Sequence, residues 1–179
     1  MARMFRFLTA DEIEVKVKQV KENGLVCLLY KTARTDMDLL DETVGAENWT
    51  NGYQEIKGNL YAGIAIRLRD DSWCWKWDCG IESREDGEGN EKKGEASDSF
   101  KRAGFRWGIG RELYTSPFVW IKPDKADIRS GTDRNGKPVF RCFDKFSVEK
   151  IAYDENTGRI TGLAIRNDTK DCRAFVWTA

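Results

Sequence analysis

The stretch Glu95–Tyr114, EASDSFKRAGFRWGIGRELY, combines helical spacing, a run of cations and helix-ending glycines. Phe100, Ala103 and Trp107 recur at steps of three and four residues, which gives a helix one apolar face to bury. Ser97 is a suitable N-cap residue for this helix. Glycines directly after Trp107 are a typical C-terminal signal. The pattern predicts a long amphipathic helix from Ser97 to Trp107.

The same stretch carries a local concentration of positive charge. No acidic residue occurs from position 101 to position 111. The cations of the stretch are Lys101, Arg102, Arg106 and Arg111. One interpretation is a helix whose basic side chains only solvate its outer face. The other is a binding surface for an anionic ligand.

Composition limits the possible classes of protein. The 179 residues suit one domain, and 30 basic residues balance 30 acidic ones, so any nucleic-acid binding must come from uneven placement of charge. No apolar run approaches the roughly 20 residues of a membrane span. The start, MARMFRFLTADE, reaches acidic residues before a signal-peptide core could form. We expect a cytoplasmic protein.

Several kinds of chemistry lack their usual residues. The chain contains no histidine, which excludes Ser-His-Asp and Cys-His machinery and most zinc hydrolases. Five scattered cysteines without a CxxC pattern predict isolated buried thiols rather than disulfides or a zinc site. No GxxxxGK[ST] motif for nucleotide hydrolysis occurs. We therefore predict no catalytic residues, no metal site and no cofactor.

The N-terminal part predicts two helices and a strand. The range Thr9–Val20 reads as a helix because acidic residues follow Thr9 and apolar residues then recur with a step of three or four. Leu25–Tyr30 is a short apolar run typical of a buried strand. A second helix is predicted over Ala33–Val44, with Met37, Leu40 and Val44 facing inward.

From Trp49 the hydrophobic period changes to two, which predicts three antiparallel strands: Trp49–Lys57, Leu60–Arg69 and Trp73–Gly80. The middle strand has one apolar face, consisting of Ala62, Ile64, Ile66 and Leu68. Its other face consists of Tyr61, Gly63, Ala65, Arg67 and Arg69. We expect the first face to belong to the core and the second to carry cations.

Trp73, Trp75 and Trp77 lie on one face of the third strand. They suit either nucleobase stacking or a core against which the long helix packs. The core interpretation is favoured, because indoles on a sheet flanked by helices usually point inward. As binding residues, Lys76, Arg67 and Arg69 therefore come before the tryptophans.

The remaining segments are less specific. Residues 81–94, IESREDGEGNEKKG, read as a polar mobile loop. The range Phe140–Trp177 alternates as strands around turn signals, which predicts a β-meander. This part either packs on the first sheet or forms a contact between protomers. Four acidic residues near strand ends suit a Mg²⁺-dependent nuclease, although turn formation explains them as well: Asp70, Asp71, Asp78 and Glu82.

Two segments resemble a known family. SDSFKRAGFRWGIGRELY (97–114) resembles the signature helix of the Rad-fifty-two superfamily of single-strand annealing proteins, in its phage and bacterial Sak-type branch. YKTARTDMDLLDETVGAENW (30–49) is similar to the preceding helix and the loop that follows it. The resemblance implies an α+β fold, a β-β-β-α core whose three-stranded antiparallel sheet packs on the signature helix, and protomers assembled into a ring. We expect a single domain, 1–179, with an annealing core over 9–114 and a β-rich extension over 115–179.

The resemblance also implies a DNA-binding site. Lys101 and Arg102 match the basic pair that the family uses on the DNA backbone, and Arg34 matches an arginine ahead of the second helix. A further family cation falls here on Phe105, with Arg106 beside it and rotated by about 100°. Arg111 either joins the site or bonds helix-end carbonyls. The complete predicted set is Arg34, Arg67, Arg69, Lys76, Lys101, Arg102, Arg106 and Arg111.

The implied function is ATP-independent binding and annealing of single-stranded DNA in homologous recombination and repair, by a phage or prophage protein that is not an enzyme. Its expected partners are single-stranded DNA and further copies of itself. A single-strand-binding protein or an exonuclease of the same pathway would be an additional partner, but the tails that recruit partners in eukaryotic relatives have no counterpart here. The alternatives are a coat protein without annealing activity and, less favoured, the Mg²⁺-dependent nuclease.

Overall fold

The computed structural model describes residues 3–80 and 91–179, in which two α-helices combine with largely antiparallel sheets. The α+β class is therefore confirmed. The helices and strands are, in chain order, β1 (Glu14–Lys21), β2 (Gly24–Tyr30), α1 (Ala33–Val44), β3 (Trp49–Ile56), β4 (Asn59–Arg67), β5 (Trp73–Cys79), α2 (Glu91–Trp107), β6 (Val119–Ile121), β7 (Ile128–Thr132), β8 (Pro138–Cys142), β9 (Phe146–Tyr153), β10 (Ile160–Asn167) and β11 (Cys172–Thr178).

The chain forms two compact units. The first unit comprises Lys31–Arg111 together with the N-terminal residues up to Arg6, and the second comprises Phe7–Tyr30 and Glu112–Ala179. Residues 9–30, which the sequence analysis placed in the annealing core, thus belong to the second unit. The change of unit at Arg111 falls three residues before the boundary expected at Tyr114.

The first unit is a three-stranded antiparallel sheet in the order β3-β4-β5, with α2 packed on β4 and β5. The predicted ranges of these strands agree with the structure to within two residues. The β3–β4 turn places Lys57 and Gly58 at φ 53° and 77°. Left-handed values at two successive turn residues match the twist of the flanking strands.

Helix α1 has the predicted bounds but a different buried face. Leu40 is buried and Val44 is half-buried, whereas Met37 is exposed, so the prediction that Met37 faces inward is wrong. The buried residues are Thr35, Asp36, Leu39 and Leu40. Two of these four are polar, so apolar spacing predicted only part of the buried face, Leu40 and the half-buried Val44.

Helix α2 begins earlier than predicted. Its first residue is Glu91, so Ser97 lies inside the helix and is not its N-cap. Residues 81–90 of the predicted loop lie outside the described residues, and 91–94 are helical instead. The predicted end is confirmed, because Gly108 and Gly110 have φ of 102° and 72°, a backbone region that favours glycine.

The first predicted helix is wrong. Only Ala10–Glu12 form a single 3-10 turn, and Glu14–Lys21 is strand β1, which pairs with β2 through the turn at Glu22-Asn23. The sequence EVKVKQVK alternates with period two, which fits a strand as well as the apolar step of three or four fits a helix. Pairing with both β2 and β9 decides in favour of the strand.

The second unit contains a six-stranded sheet in the order β11-β10-β9-β1-β2-β6 and a separate β7-β8 hairpin. The predicted C-terminal meander is confirmed as β9, β10 and β11. It packs edge to edge with β1, a strand that sequence analysis had assigned to a helix.

All five cysteines are unpaired thiols. Only Cys27 is buried, and burial raises its pKa to about 12, so the expectation of buried thiols holds for this residue alone. In the part of the chain that the structure describes, neither helix is both long and apolar enough to cross a membrane.

Candidate nucleic-acid interface

Side-chain hydrogen bonds to the middle strand fix α2 on the sheet. The Glu95 carboxylate accepts a hydrogen bond from the Leu60 amide at 3.0 Å, and the Ser99 hydroxyl donates to the Leu60 carbonyl at 2.7 Å. Near the other end of the helix, the Trp107 indole N–H donates to the Ile64 carbonyl at 2.9 Å. The helix is therefore attached along the length of β4, and the side chains on its C-terminal turns have fixed positions.

Four basic side chains meet at the C-terminal end of α2, where two of them, Arg102 and Arg106, pair with one carboxylate, Asp78. We call Lys76, Arg102, Arg106 and Arg111 the cation cluster. Arg106 Nε donates to Asp78 Oδ2 at 3.1 Å, and Arg102 Nε lies 3.6 Å from Asp78 Oδ1. Lys76 Nζ donates to the Arg106 carbonyl at 3.2 Å. The structure thus brings together four residues of the predicted binding set.

Two members of the cluster cap the helix. Arg111 donates from Nε to the Phe105 carbonyl at 2.6 Å and from Nη2 to the Arg106 carbonyl at 2.8 Å. This is the helix-end role that sequence analysis had left open for Arg111. Lys76 Nζ also lies 4.1 Å from the centroid of the Trp107 ring. Cations at a helix C-terminus complement its partial negative charge, so these two charges are held in place by the fold itself.

Arg102 and Arg106 extend from the cluster toward solvent. Their side chains are 42% and 59% exposed, whereas that of Asp78 is only 15% exposed. Arg102 Nε is buried and has no hydrogen-bond partner among the described residues. Because this one partly buried carboxylate pairs with two of the four cations, the cluster carries an excess of positive charge. Guanidinium groups in this setting suit phosphate oxygens, which accept two parallel N–H donors.

Lys101 makes its contacts elsewhere. Its Nζ lies 3.7 Å from Asp98 Oδ1, its side chain is 22% exposed, and its backbone carbonyl accepts a hydrogen bond from Lys31 Nζ at 3.0 Å. One residue along a helix corresponds to a rotation of about 100°, so Lys101 and Arg102 face different neighbours. Each of these two residues has a carboxylate of its own chain within 4 Å. The two residues of the predicted basic pair therefore do not lie in one site, and of the two only Arg102 belongs to the cation cluster.

The other predicted cations lie on α1 and in the β4–β5 hairpin. Arg34 is exposed in the first turn of α1 and makes no side-chain hydrogen bond or ion pair with the described residues. A cation gains nothing from the positive end of a helix dipole, so local structure gives no reason for its presence there. Arg67 pairs with Asp71 at 2.9 Å across the exposed turn, and Arg69 is exposed nearby.

The tryptophans of β5 do not form a core for the helix. Lys76 and Asp78 contact α2, and residues at alternate positions of a strand point to opposite faces, so Trp73, Trp75 and Trp77 lie on the face away from it. The prediction that they pack against the long helix is therefore wrong. A sequence signal existed for this arrangement: two glycines, Gly52 and Gly63, are paired on the same face and leave room for large rings.

The two faces of β4 also differ from their prediction. Ala62, Ile64 and Ile66 are buried as expected, but the strand ends at Arg67 and Leu68 is exposed. On the other face Ala65 is also buried, because indoles cover it. This face is therefore an aromatic surface with one arginine at its end.

A buried ion pair between Lys31 and Asp36 lies beside α2, and the sequence analysis did not predict it. Lys31 Nζ is 2.5 Å from both carboxylate oxygens of Asp36, and the two residues are 3% and 0% exposed. Burial raises the pKa of Asp36 to about 6, against the opposing effect of the Lys31 charge. No pattern in the sequence distinguishes these residues from solvated charges at the start of a helix.

The acidic residues considered as metal ligands have other partners. Ser72 donates hydrogen bonds to Asp70, which lower the pKa of that carboxyl group, Asp71 pairs with Arg67, and Asp78 pairs with the cation cluster. Glu82 lies outside the described residues. Within residues 3–80 and 91–179, no group of three or more metal-binding side chains is found.

Comparison with known proteins gives no relative for this chain: no protein-family model matches it, and no curated protein matches it either.

Proposed function

We propose that the protein binds single-stranded DNA through the cation cluster and anneals complementary strands without ATP. The observation that carries this proposal is the gathering of four cations at the end of α2, only two of which pair with a carboxylate, on a chain with no net charge. The resemblance of residues 97–114 and 30–49 to single-strand annealing proteins supports it. The positive surface supplies the electrostatic term that dominates binding to nucleic-acid backbones.

The chemistry of the cluster suits an annealing function. Arginine and lysine side chains that contact phosphates hold the backbone without reading its sequence. The Watson–Crick edges of the bases then remain accessible to a second strand. Two charges of the cluster are fixed by hydrogen bonds to helix carbonyls, so little ordering of those side chains is needed on binding.

The wider proposal follows the resemblance. Copies of the chain assemble into a ring, so that the cation clusters of neighbouring protomers form one track for a DNA strand. The protein acts in the cytoplasm during homologous recombination or repair of phage or prophage DNA. A single-strand-binding protein or an exonuclease of the same pathway supplies or prepares its substrate.

Incubation of the purified protein with labelled complementary oligonucleotides, Mg²⁺ and no ATP tests the proposal. We expect duplex to form faster than in a protein-free control. Shortened strands would identify a nuclease instead. Protection of single strands from digestion without faster pairing would identify a coat protein.

The variant Asp78→Asn makes this test sharper. It removes the one carboxylate of the cluster and leaves four cations, so an annealing protein should bind single strands more tightly. A nuclease that used Asp78 as a metal ligand would lose its activity. Asp124→Asn, an exposed acidic residue of the second unit, is the matched control and should have little effect.

A further inference from the structure

The face of the β3-β4-β5 sheet opposite α2 is an exposed aromatic surface, which we call the tryptophan face. Its tryptophans are Trp73, Trp75 and Trp77 on β5. In the register of the sheet they lie opposite Arg67, Ala65 and Gly63 of β4, respectively. Trp73 and Trp75 are 43% and 42% exposed, which is unusual for side chains that gain so much from burial.

Glycine allows one of these rings to lie flat on the sheet. A Cβ atom at Gly63 would be 2.6–2.7 Å from three atoms at the centre of the Trp77 indole, so the ring lies over the backbone of β4. Trp75 stacks on Trp77 with a centroid distance of 5.1 Å and an angle of 16° between the planes. A Cβ atom at Gly52 would meet both rings at 3.6 Å. The result is a pair of nearly parallel stacked rings on the sheet, and Trp75 remains partly exposed to solvent.

The three strands contribute one charged side chain to this face, that of Arg67. The residues of β3, β4 and β5 that point to this face include no carboxylate, and Arg67 lies beside Trp73. Arg67 pairs with Asp71 of the adjoining turn at 2.9 Å, so the stacked indoles rather than net charge are the feature that suits nucleobases.

The position of β5 connects this face with the cation cluster. Among the described residues β5 is an edge strand, and on the other side of the sheet its residue Lys76 belongs to the cation cluster and Asp78 pairs with two cluster arginines. A strand of nucleic acid that follows this edge therefore meets phosphate-binding groups on one side and indole faces on the other.

We infer that the tryptophan face stacks bases of the single-stranded DNA whose phosphates the cation cluster holds, an inference that rests on the proposed function. Stacking occupies the flat face of a base and leaves its Watson–Crick edge available for pairing. The platform therefore adds affinity that is independent of sequence while the strand stays readable.

The test compares a dT oligonucleotide with an abasic deoxyribose-phosphate oligomer of equal length, which keeps the phosphates and lacks the bases. We expect the parent protein to bind dT more tightly than the abasic oligomer. Trp75→Leu should weaken dT binding by about 5- to 150-fold, the range for one lost base stack, without changing binding to the abasic oligomer. Phe143→Leu, which truncates an exposed aromatic residue of the second unit, is the control and should change neither affinity.

The possible results distinguish a failure of the stacking inference from a failure of the proposed function. If the parent protein binds neither oligomer, the proposed function fails. If it binds both equally and Trp75→Leu changes nothing, the function stands and the platform is overturned. A smaller particle size for Trp75→Leu without DNA, with unchanged affinity, would show that a second copy of the chain covers the face.

Should the variant fold poorly, quenching of the parent's tryptophan fluorescence by dT but not by the abasic oligomer supports the inference, and equal quenching overturns it.

Discussion

The two faces of the β3-β4-β5 sheet are built by the same three strands and differ in almost every physical property. The face under α2 buries Ile64 and Ile66 and ends in the cation cluster. The opposite face supports stacked indoles that remain partly exposed, although Ala65 beneath them is fully buried. One face is thus covered by helix α2, and the other is covered by the tryptophan side chains of β5.

This contrast shows what the alternating pattern of a strand predicts about the structure and what it does not. Alternation establishes which residues share a face, and here it grouped Trp73, Trp75 and Trp77 correctly. It does not establish which face receives the helix. That choice follows from shape: the small and branched residues of β4 fit the ridge of α2, whereas the opposite face, with Gly52 and Gly63, fits flat rings.

The largest effect on stability is expected at the buried ion pair Lys31–Asp36, which lies beside α2. Asp36→Ala removes the carboxylate that pairs with the buried Lys31 and should lower the free energy of unfolding by about 3–5 kcal/mol at pH 8. Urea unfolding measures the difference. Asp38→Ala is the matched control, because Asp38 is exposed on the same helix, and it should change stability by no more than about 0.5 kcal/mol. Equal effects of the two substitutions would mean that the pair is not buried.

The same pair should make stability depend on pH. Burial raises the pKa of Asp36 from 3.8 to about 6, so between these values the folded protein binds more protons than the unfolded chain. Stability should therefore fall as the pH rises from about 4 to about 6, by up to about 3 kcal/mol. Thermal unfolding of the parent and of Asp36→Asn across this range isolates the contribution, since the other carboxyl groups cancel in the difference. A parallel pH dependence of the two proteins would contradict the assignment.

The next effect belongs to the tryptophan face. Gly63→Ala places a methyl group 2.6 Å from the Trp77 ring, which must move, and we expect a loss of about 1–3 kcal/mol in unfolding free energy. Gly52→Ala is the control on the same face, where the added methyl group would make ordinary contacts at 3.6 Å. If both variants were equally stable, the indole would not lie flat on β4.

The smallest effect on stability is expected at the end of the tryptophan face. Arg67 pairs with Asp71 in an exposed turn, and such pairs contribute at most about 1 kcal/mol. Arg67→Ala should therefore leave the unfolding curve nearly unchanged while weakening the binding of single-stranded DNA. A stability loss as large as that of Gly63→Ala would show that Arg67 has a structural role instead.

Sequence reasoning recovered α1, the three strands of the first unit and the end of α2, because each has a local signal: periodicity, turn residues or a terminal glycine. It failed at β1, where EVKVKQVK fits two periods and pairing with β9, about 130 residues away, decides between them. It also failed at Ser97, because the chain before that residue is polar and offers no apolar face to mark a helix.

The candidate site was predicted by residue type but not by arrangement. The sequence identified every member of the cation cluster, yet it paired Lys101 with Arg102 and gave Asp78 a different role. Ion pairs across a helix and a strand depend on tertiary geometry that no local spacing encodes. The buried pair Lys31–Asp36 gave no signal for the same reason.

The most direct test of the central claim is the salt dependence of single-stranded DNA binding. The variant Arg102→Ala with Arg106→Ala removes the two members of the cation cluster that pair with Asp78. Arg134→Ala with Arg159→Ala removes two exposed arginines of the second unit as a control, and circular dichroism checks that both variants are folded. We predict that the slope of log affinity against log salt becomes shallower by about 1.4 in the cluster variant, about 0.7 for each lost phosphate contact, and stays unchanged in the control. A folded cluster variant with the parent's slope and affinity would contradict the claim that this cluster holds the DNA backbone.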